Sequence, residues 1–310
     1  MEDIEIAKKR KVYGSMMDLI GNTPLVEFKT KDVESKIFIK LESANPTGSI
    51  KDRACMYNIR AAQRSGALSP GKTILDASSG NMACALAYFG KILGYPVHVI
   101  CNSKLTEDKK SFIQYFGATL DVHGEITVEG NRLCAEMAKT EEGQKKYCFM
   151  DQLHNQANPQ ASYETLGPEI ARDLPDVAAV VGSMGSGGSM CGTSRFFREF
   201  HPDVKIFTSQ AASGTKIPGT GAFIDGDYVT PFIEELRGSA LYDATYSIHL
   251  KQAQDRTAEM AAQGIFVGWQ GGGVLHAAIE GIKEYDVNGP VVVIIGDSGW
   301  KNMDKLKSII

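Results

Sequence analysis

An alternation in the sequence restricts the fold more than any other feature. Short apolar runs, each reading as a strand, are followed by longer stretches with helical apolar spacing. Strand patterns at 37–39, 73–75, 97–101, 119–122 and 147–149 interleave with helix patterns at 54–65, 81–93, 106–116 and 128–139. The alternation resumes with helix 158–172, strand 177–181, helix 189–200 and strand 205–209. A glycine-rich segment, 211–226, reads as loop; helices 251–263 and 274–284, strand 291–295 and a last helix from 301 follow it. Such a pattern calls for parallel strands joined by crossover helices. The expected class is α/β, with two domains, each an open and mostly parallel sheet flanked by helices. At 310 residues, 43% of them hydrophobic, the chain can fill two modest cores.

In open sheets of this kind ligands sit at the carboxyl ends of the strands. Four polar segments follow predicted strands. In the first, Asn45-Pro46 and Thr47-Gly48 turn the chain from strand 37–39 into helix 54–65, which puts Lys51 in the first helical turn. The peptide dipole disfavours a positive charge there and favours the neutral, nucleophilic amine of Schiff-base chemistry. A surface lysine at a helix start gives the same pattern.

The second segment is Gly182-Ser183-Met184-Gly185-Ser186-Gly187-Gly188-Ser189. Its glycines let successive N–H groups converge on one anion at a helix N-terminus. Met190 stands where a dinucleotide fingerprint needs its last glycine, and no Gly-Lys-Ser/Thr is present, so a non-nucleotide phosphate fits better. A tight strand–helix turn is the alternative. The third segment, Asp76 to Ala83, is either a helix cap or a carboxylate-binding loop. The fourth, Ile294 to Trp300, is a strand ending in a polar turn.

Other classes fit poorly. A net charge of −4 argues against nucleic acid as a partner. No apolar run approaches the ~18 residues of a membrane span, and the N-terminus lacks a signal-peptide core. The basic run Lys8 to Lys11 reads as a solvated tail or first helix. Six cysteines, at 55, 84, 101, 134, 148 and 191, lack C-x-x-C spacing and are expected to be buried free thiols in a reducing cytoplasm. The six histidines show no metal-like spacing.

The motif Asn45-Pro46-x-x-Ser49-x-Lys51-Asp52-Arg53 resembles the lysine segment of fold-type II pyridoxal-phosphate (PLP) enzymes, in the cysteine synthase (O-acetylserine sulfhydrylase) branch. The resemblance continues in order through Gly21-Asn22-Thr23-Pro24-Leu25, Ser78-Ser79-Gly80-Asn81, Gln152 with Asn158-Pro159, Tyr163 to Ile170, Gly185 to Ser189, and Asp297-Ser298-Gly299. It implies that PLP lies in the cleft between a smaller domain, 36–151, and a larger one built from 1–35 plus 152–310. Lys51 would hold the cofactor and act as the catalytic base. Gly185, Ser186, Gly187, Gly188 and Ser189 would hold its phosphate, Asn81 would face its ring hydroxyl, and Ser298 would meet its pyridine nitrogen. A neutral hydroxyl at that nitrogen leaves the ring a weaker electron sink, which suits β-replacement better than transamination. Ser78, Ser79, Gly80, Asn81, Met82, Gln152 and Trp269 would bind substrate.

The implied reaction is β-replacement through an aminoacrylate, from O-acetylserine or a related donor plus sulfide. Alternatives are another donor (phosphoserine, serine or cysteine), another nucleophile (amine, thiol or water), or a PLP-binding interaction protein without turnover. A cytoplasmic homodimer is implied. A serine acetyltransferase tail is a further family partner, against which Met82 speaks. Met82-Ala83 replaces the usual Thr-Gly, and Trp269-Gln270 stands in a usual Ser-Ser run. Trp269 and Trp300, the only tryptophans, are either core or part of an altered substrate pocket.

Overall fold

The computed structural model describes residues 12–306. The basic run 8–11 and the last four residues lie outside these. Among the described residues, ten strands form two sheets. One has six strands in the order β1-β2-β10-β7-β8-β9: Leu25–Phe28, Ile37–Leu41, Val291–Ile295, Ala179–Ser183, Lys205–Ala211 and Ala244–Ile248. Only β1 runs antiparallel, against β2; the other pairs are parallel. The second sheet has four parallel strands in the order β5-β4-β3-β6: Thr119–Val122, Val97–Cys101, Thr73–Ala77 and Tyr147–Phe149. The α/β class with two helix-flanked sheets is the one expected.

One boundary differs. The strand expected to open the smaller domain is β2, hydrogen-bonded between β1 and β10 in the larger sheet. Ile37 and Ile39 are fully buried in that sheet's core, so the chain leaves the larger sheet after residue 41 rather than at 35. The four-stranded sheet draws its strands from 73–149.

β10 explains why the larger sheet is buried on both sides. Val291, Val293 and Ile295 face one apolar cluster, with helices Leu250–Ala261 and Trp269–Glu284 over it. Val292 and Ile294 face the other, with Cys191 and Phe197 of helix Gly188–Phe200. A strand buried on both faces reads as a continuous apolar run, as Val291 to Ile295 does. The edge strand β9 is mostly half-exposed and lacks such a run, which hid it from sequence reading.

Helix Trp269–Glu284 begins five residues before the predicted 274. The run Gly271-Gly272-Gly273 lies in its first turns, where the neighbouring helix comes too close for a side chain at Gly272. A Cβ on Gly272 would lie 2.0 Å from the Ala253 carbonyl oxygen. All six cysteines are buried and free. Among the described residues no helix is long and apolar enough to cross a membrane.

Candidate active site

In the larger sheet β10 lies between β2 and β7, so the segments leaving their carboxyl ends are neighbours. After β2 the chain turns through residues 42–50 and is stapled to the end of β10. Ile50 N–H donates to the Gly296 carbonyl at 2.9 Å, and Ser49 pairs with Asp297 in an isolated antiparallel bridge. Lys51 then opens helix Lys51–Arg64. Asp52 is fixed behind it, accepting from Thr47 N–H at 2.7 Å and from the Thr47 hydroxyl. Burial pushes the Asp52 carboxyl up to about 6. Burial also lowers the pKa of Lys51, with the negative charge of Asp297 acting in the opposite direction. A desolvated amine biased toward its neutral form is what nucleophilic and proton-abstracting roles require.

After β7 comes the glycine–serine loop. Gly187 has φ of +84°, and a Cβ there would lie 2.6 Å from Ile233 Cδ1. A Cβ on Gly188 would meet the Asn158 amide at 2.4 Å, and one on Gly185 the Gly219 carbonyl at 2.7 Å. Thr230 Oγ1 donates to the Ser186 carbonyl at 2.6 Å, anchoring the loop to the start of helix Pro231–Gly238. The loop opens helix Gly188–Phe200, whose first N–H groups have no partner within the helix.

These segments line a partly open cleft at the carboxyl ends of the strands, where ligands bind in sheets of this kind. Its wall includes Lys51, Asn81, Gly185, Ser186, Gly187, Ser189, Gln270 and Asp297. Asn81 comes from the other sheet, at the start of helix Asn81–Leu93, and donates to Asp297 Oδ2 at 2.7 Å. Its own Oδ1 is buried without a protein partner. The serines before it shape the turn: Ser79 Oγ accepts from Asn102 N–H at 2.5 Å, and Ser78 Oγ from Gly80 N–H at 3.2 Å.

Four sequence expectations meet a different placement. Met82 is 1% exposed and packs in the apolar core of the smaller sheet, because one step along the helix turns its side chain about 100° from that of Asn81. Trp269 is buried in the core of the larger sheet, and the residue after it, Gln270, is on the cavity wall. Gln152 is buried and donates to the Ala77 carbonyl at 2.7 Å, bracing the end of β3. Ser298 is the cap before the 3-10 turn Gly299–Asn302, and its neighbour Asp297 lines the cavity. The polar group at this end of the cavity is thus a carboxylate where a hydroxyl was expected. Trp300 is 73% exposed and packs edge-on against Phe266.

The site thus brings a half-buried lysine and a glycine–serine loop at a helix N-terminus to one cavity. Residues 16–297 match the family model described as "Pyridoxal-phosphate dependent enzyme". The chain is 35% identical over 286 residues to cysteine synthase B of Escherichia coli (strain K12), covering 90% of this chain and 91% of that one. Its fold matches cysteine synthase of Entamoeba histolytica with a TM-score of 0.88 at 26% identity, covering 100% and 95% of the two chains. It matches a hydrogen sulfide-producing enzyme of Fusobacterium nucleatum with a TM-score of 0.84 at 28% identity, covering 94% and 99%. The chain belongs to the PLP-dependent enzyme family, in its cysteine synthase branch. Its cofactor is PLP and its chemistry is β-replacement.

The cavity fits that cofactor. Packing at Gly185, Gly187 and Gly188 keeps the loop free of side chains, which leaves its backbone N–H groups open to an anion, and Asn81 Oδ1 is buried with no donor among the described residues.

Proposed function

We propose that this enzyme replaces the Cβ substituent of a serine-derived amino acid, with O-acetylserine or a close relative as donor and sulfide as nucleophile. The observation that carries the reading is Lys51, a desolvated amine on the wall of the cavity that the Gly185 to Ser189 loop also lines. Lys51 Nζ would hold the cofactor, and its amine would serve as the base that takes the Cα proton. When bound, the cofactor supplies the electron-withdrawing ring that makes that proton removable. The loop Gly185 to Ser189 would hold the phosphate through N–H groups and the hydroxyls of Ser186 and Ser189. The turn Ser78 to Asn81, at a helix N-terminus, receives the substrate carboxylate.

A second reading, in which cysteine is the donor and sulfide is released, is favoured by the likeness to the hydrogen sulfide-producing enzyme. We further propose a cytoplasmic homodimer. Phe200, exposed on helix Gly188–Phe200 and paired with Phe196 at 5.1 Å, offers an aromatic face to a second copy.

The test is borohydride reduction of the purified enzyme with peptide mapping, followed by product analysis with each donor. Cofactor trapped on Lys51, and cysteine formed from O-acetylserine and sulfide, are the expected results. Cofactor trapped on another lysine would sink the site assignment. Sulfide released from cysteine, without cysteine synthesis, would select the second reading.

A further inference from the structure

Asp297 is held more firmly than a residue merely facing a cavity. Its backbone pairs with Ser49, two residues before Lys51, and the adjacent Gly296 carbonyl accepts from Ile50 N–H. Its two carboxylate oxygens are gripped separately. Oδ2 accepts from Asn81 at 2.7 Å and Oδ1 from Asn302 at 3.1 Å. The two donors come from different parts of the fold, helix Asn81–Leu93 and turn Gly299–Asn302. Neither amide carries a charge, so these bonds fix the carboxylate without neutralising it.

The charged groups facing it are Lys51, Lys109 on helix Glu107–Tyr115, and Lys301 on the C-terminal turn. Lys301 is also held over the Phe112 ring at 5.0 Å, and Lys51 shares the cavity wall with Asp297. A carboxylate partly withdrawn from water is costly unless a positive charge answers it.

We propose that Asp297 is the counter-ion of the Lys51 site: once the cofactor is joined to Lys51, the carboxylate balances the positive charge on the nitrogen that links them. The inference rests on the reading of Lys51 as the cofactor lysine. It assigns Asp297 a task that the neutral hydroxyl of Ser298 cannot perform. Burial pushes the Asp297 carboxyl upward while Asn81, Lys109, Asn302 and Lys301 act to keep it ionised, and its charge in turn raises the pKa of Lys51. Removing the negative charge leaves the protonated nitrogen unbalanced in a poorly solvated cavity, so that nitrogen loses its proton at lower pH.

The test compares the cofactor-loaded wild type with Asp297→Asn, Asp297→Ser and Asp297→Glu. The visible spectrum of bound cofactor is followed from about pH 6 to about pH 10, the range in which such a nitrogen releases its proton. In Asp297→Asn and Asp297→Ser the band of the protonated form should be lost at a pH lower by about one unit or more, a tenfold change. Asp297→Glu should move the midpoint back toward wild type, which a purely structural role would not do. Two neutral variants are used so that a failure of one to fold leaves the other to decide. Borohydride trapping on the wild type is run alongside. Cofactor on a different lysine overturns the site assignment; cofactor on Lys51 with the same midpoint in wild type and neutral variants overturns the counter-ion alone. Spectra that stay unchanged across this range in every protein overturn it equally.

Discussion

Gln270 and Ser183 are joined at the cavity wall, amide nitrogen to hydroxyl oxygen, at 2.6 Å. The other end of the same side chain, Oε1, accepts from Gly296 N–H at 3.3 Å. One side chain from the first turn of helix Trp269–Glu284 thereby ties the end of β7 to the end of β10. Those ends launch the glycine–serine loop and Asp297.

Gln270→Ala should loosen both. A neutral hydrogen bond contributes about 0.5–1.5 kcal/mol, so cofactor retention or turnover should fall roughly three- to tenfold. Cofactor titration followed by steady-state kinetics measures it; unchanged values in both would mean that the bridge is incidental.

Met82→Thr should act on stability and leave donor choice alone. Met82 packs among Ala54, Cys55 and Leu86, away from the cavity. Shortening it and burying a hydroxyl should cost about 2–5 kcal/mol, in line with other large-to-small core changes. Urea denaturation gives the loss, and the ratio of rates with two donors should match wild type.

Arg53→Met should be more damaging than its distance from the cavity suggests. The guanidinium bridges Glu42 (2.7 and 2.9 Å) and Glu169 (2.7 Å twice), all of them buried. Burial opposes the charge on Glu169, but hydrogen bonds and charge from Arg53 prevail and hold its carboxyl at about 2. Removing one partner of a buried pair costs about 3–5 kcal/mol. Because that carboxyl is depressed, its contribution is present above the ordinary carboxylate range and is lost as pH falls toward 2. The variant should therefore show a shallower acid-side loss in denaturation experiments run at descending pH.

Asp76 should give the opposite slope. Burial pushes its carboxyl up to about 8, and its Oδ2 has no hydrogen-bond partner. The folded chain keeps this proton where the unfolded chain has lost it. The contribution is thus full below the ordinary carboxylate range and declines as pH rises toward about 8. Asp76→Asn should flatten that decline. Unfolding free energies of wild type and variant at about pH 5 and about pH 9 provide the comparison, and parallel slopes would contradict it.

The fold was legible where burial writes a periodic signal. The runs Val97 to Cys101 and Val291 to Ile295 are strands with the bounds their apolar residues suggest. β9 was not legible, since Ala-Thr-Tyr-Ser-Ile at a sheet edge carries no such run. Of the site, the sequence pointed to Lys51, Asn81 and the Gly185 to Ser189 loop, and the structure brings these to one cavity. It misled at Met82, Trp269 and Ser298 for a shared reason. Each is one position from a cavity-lining residue (Asn81, Gln270 and Asp297), and one step along a helix or turn redirects a side chain by roughly 100° or more. Motif matching fixes a segment; which of its members faces inward depends on the backbone.

The six buried cysteines bear on the enzyme's own durability. Proteins that work with sulfide or thiols stand beside the reagents that convert exposed thiolates into mixed disulfides. Here burial raises the pKa of Cys55, Cys84, Cys101, Cys134, Cys148 and Cys191 alike. The thiolate is the reactive form, so both its access and its abundance are suppressed at every position. The chain is chemically deaf to the sulfur it would handle.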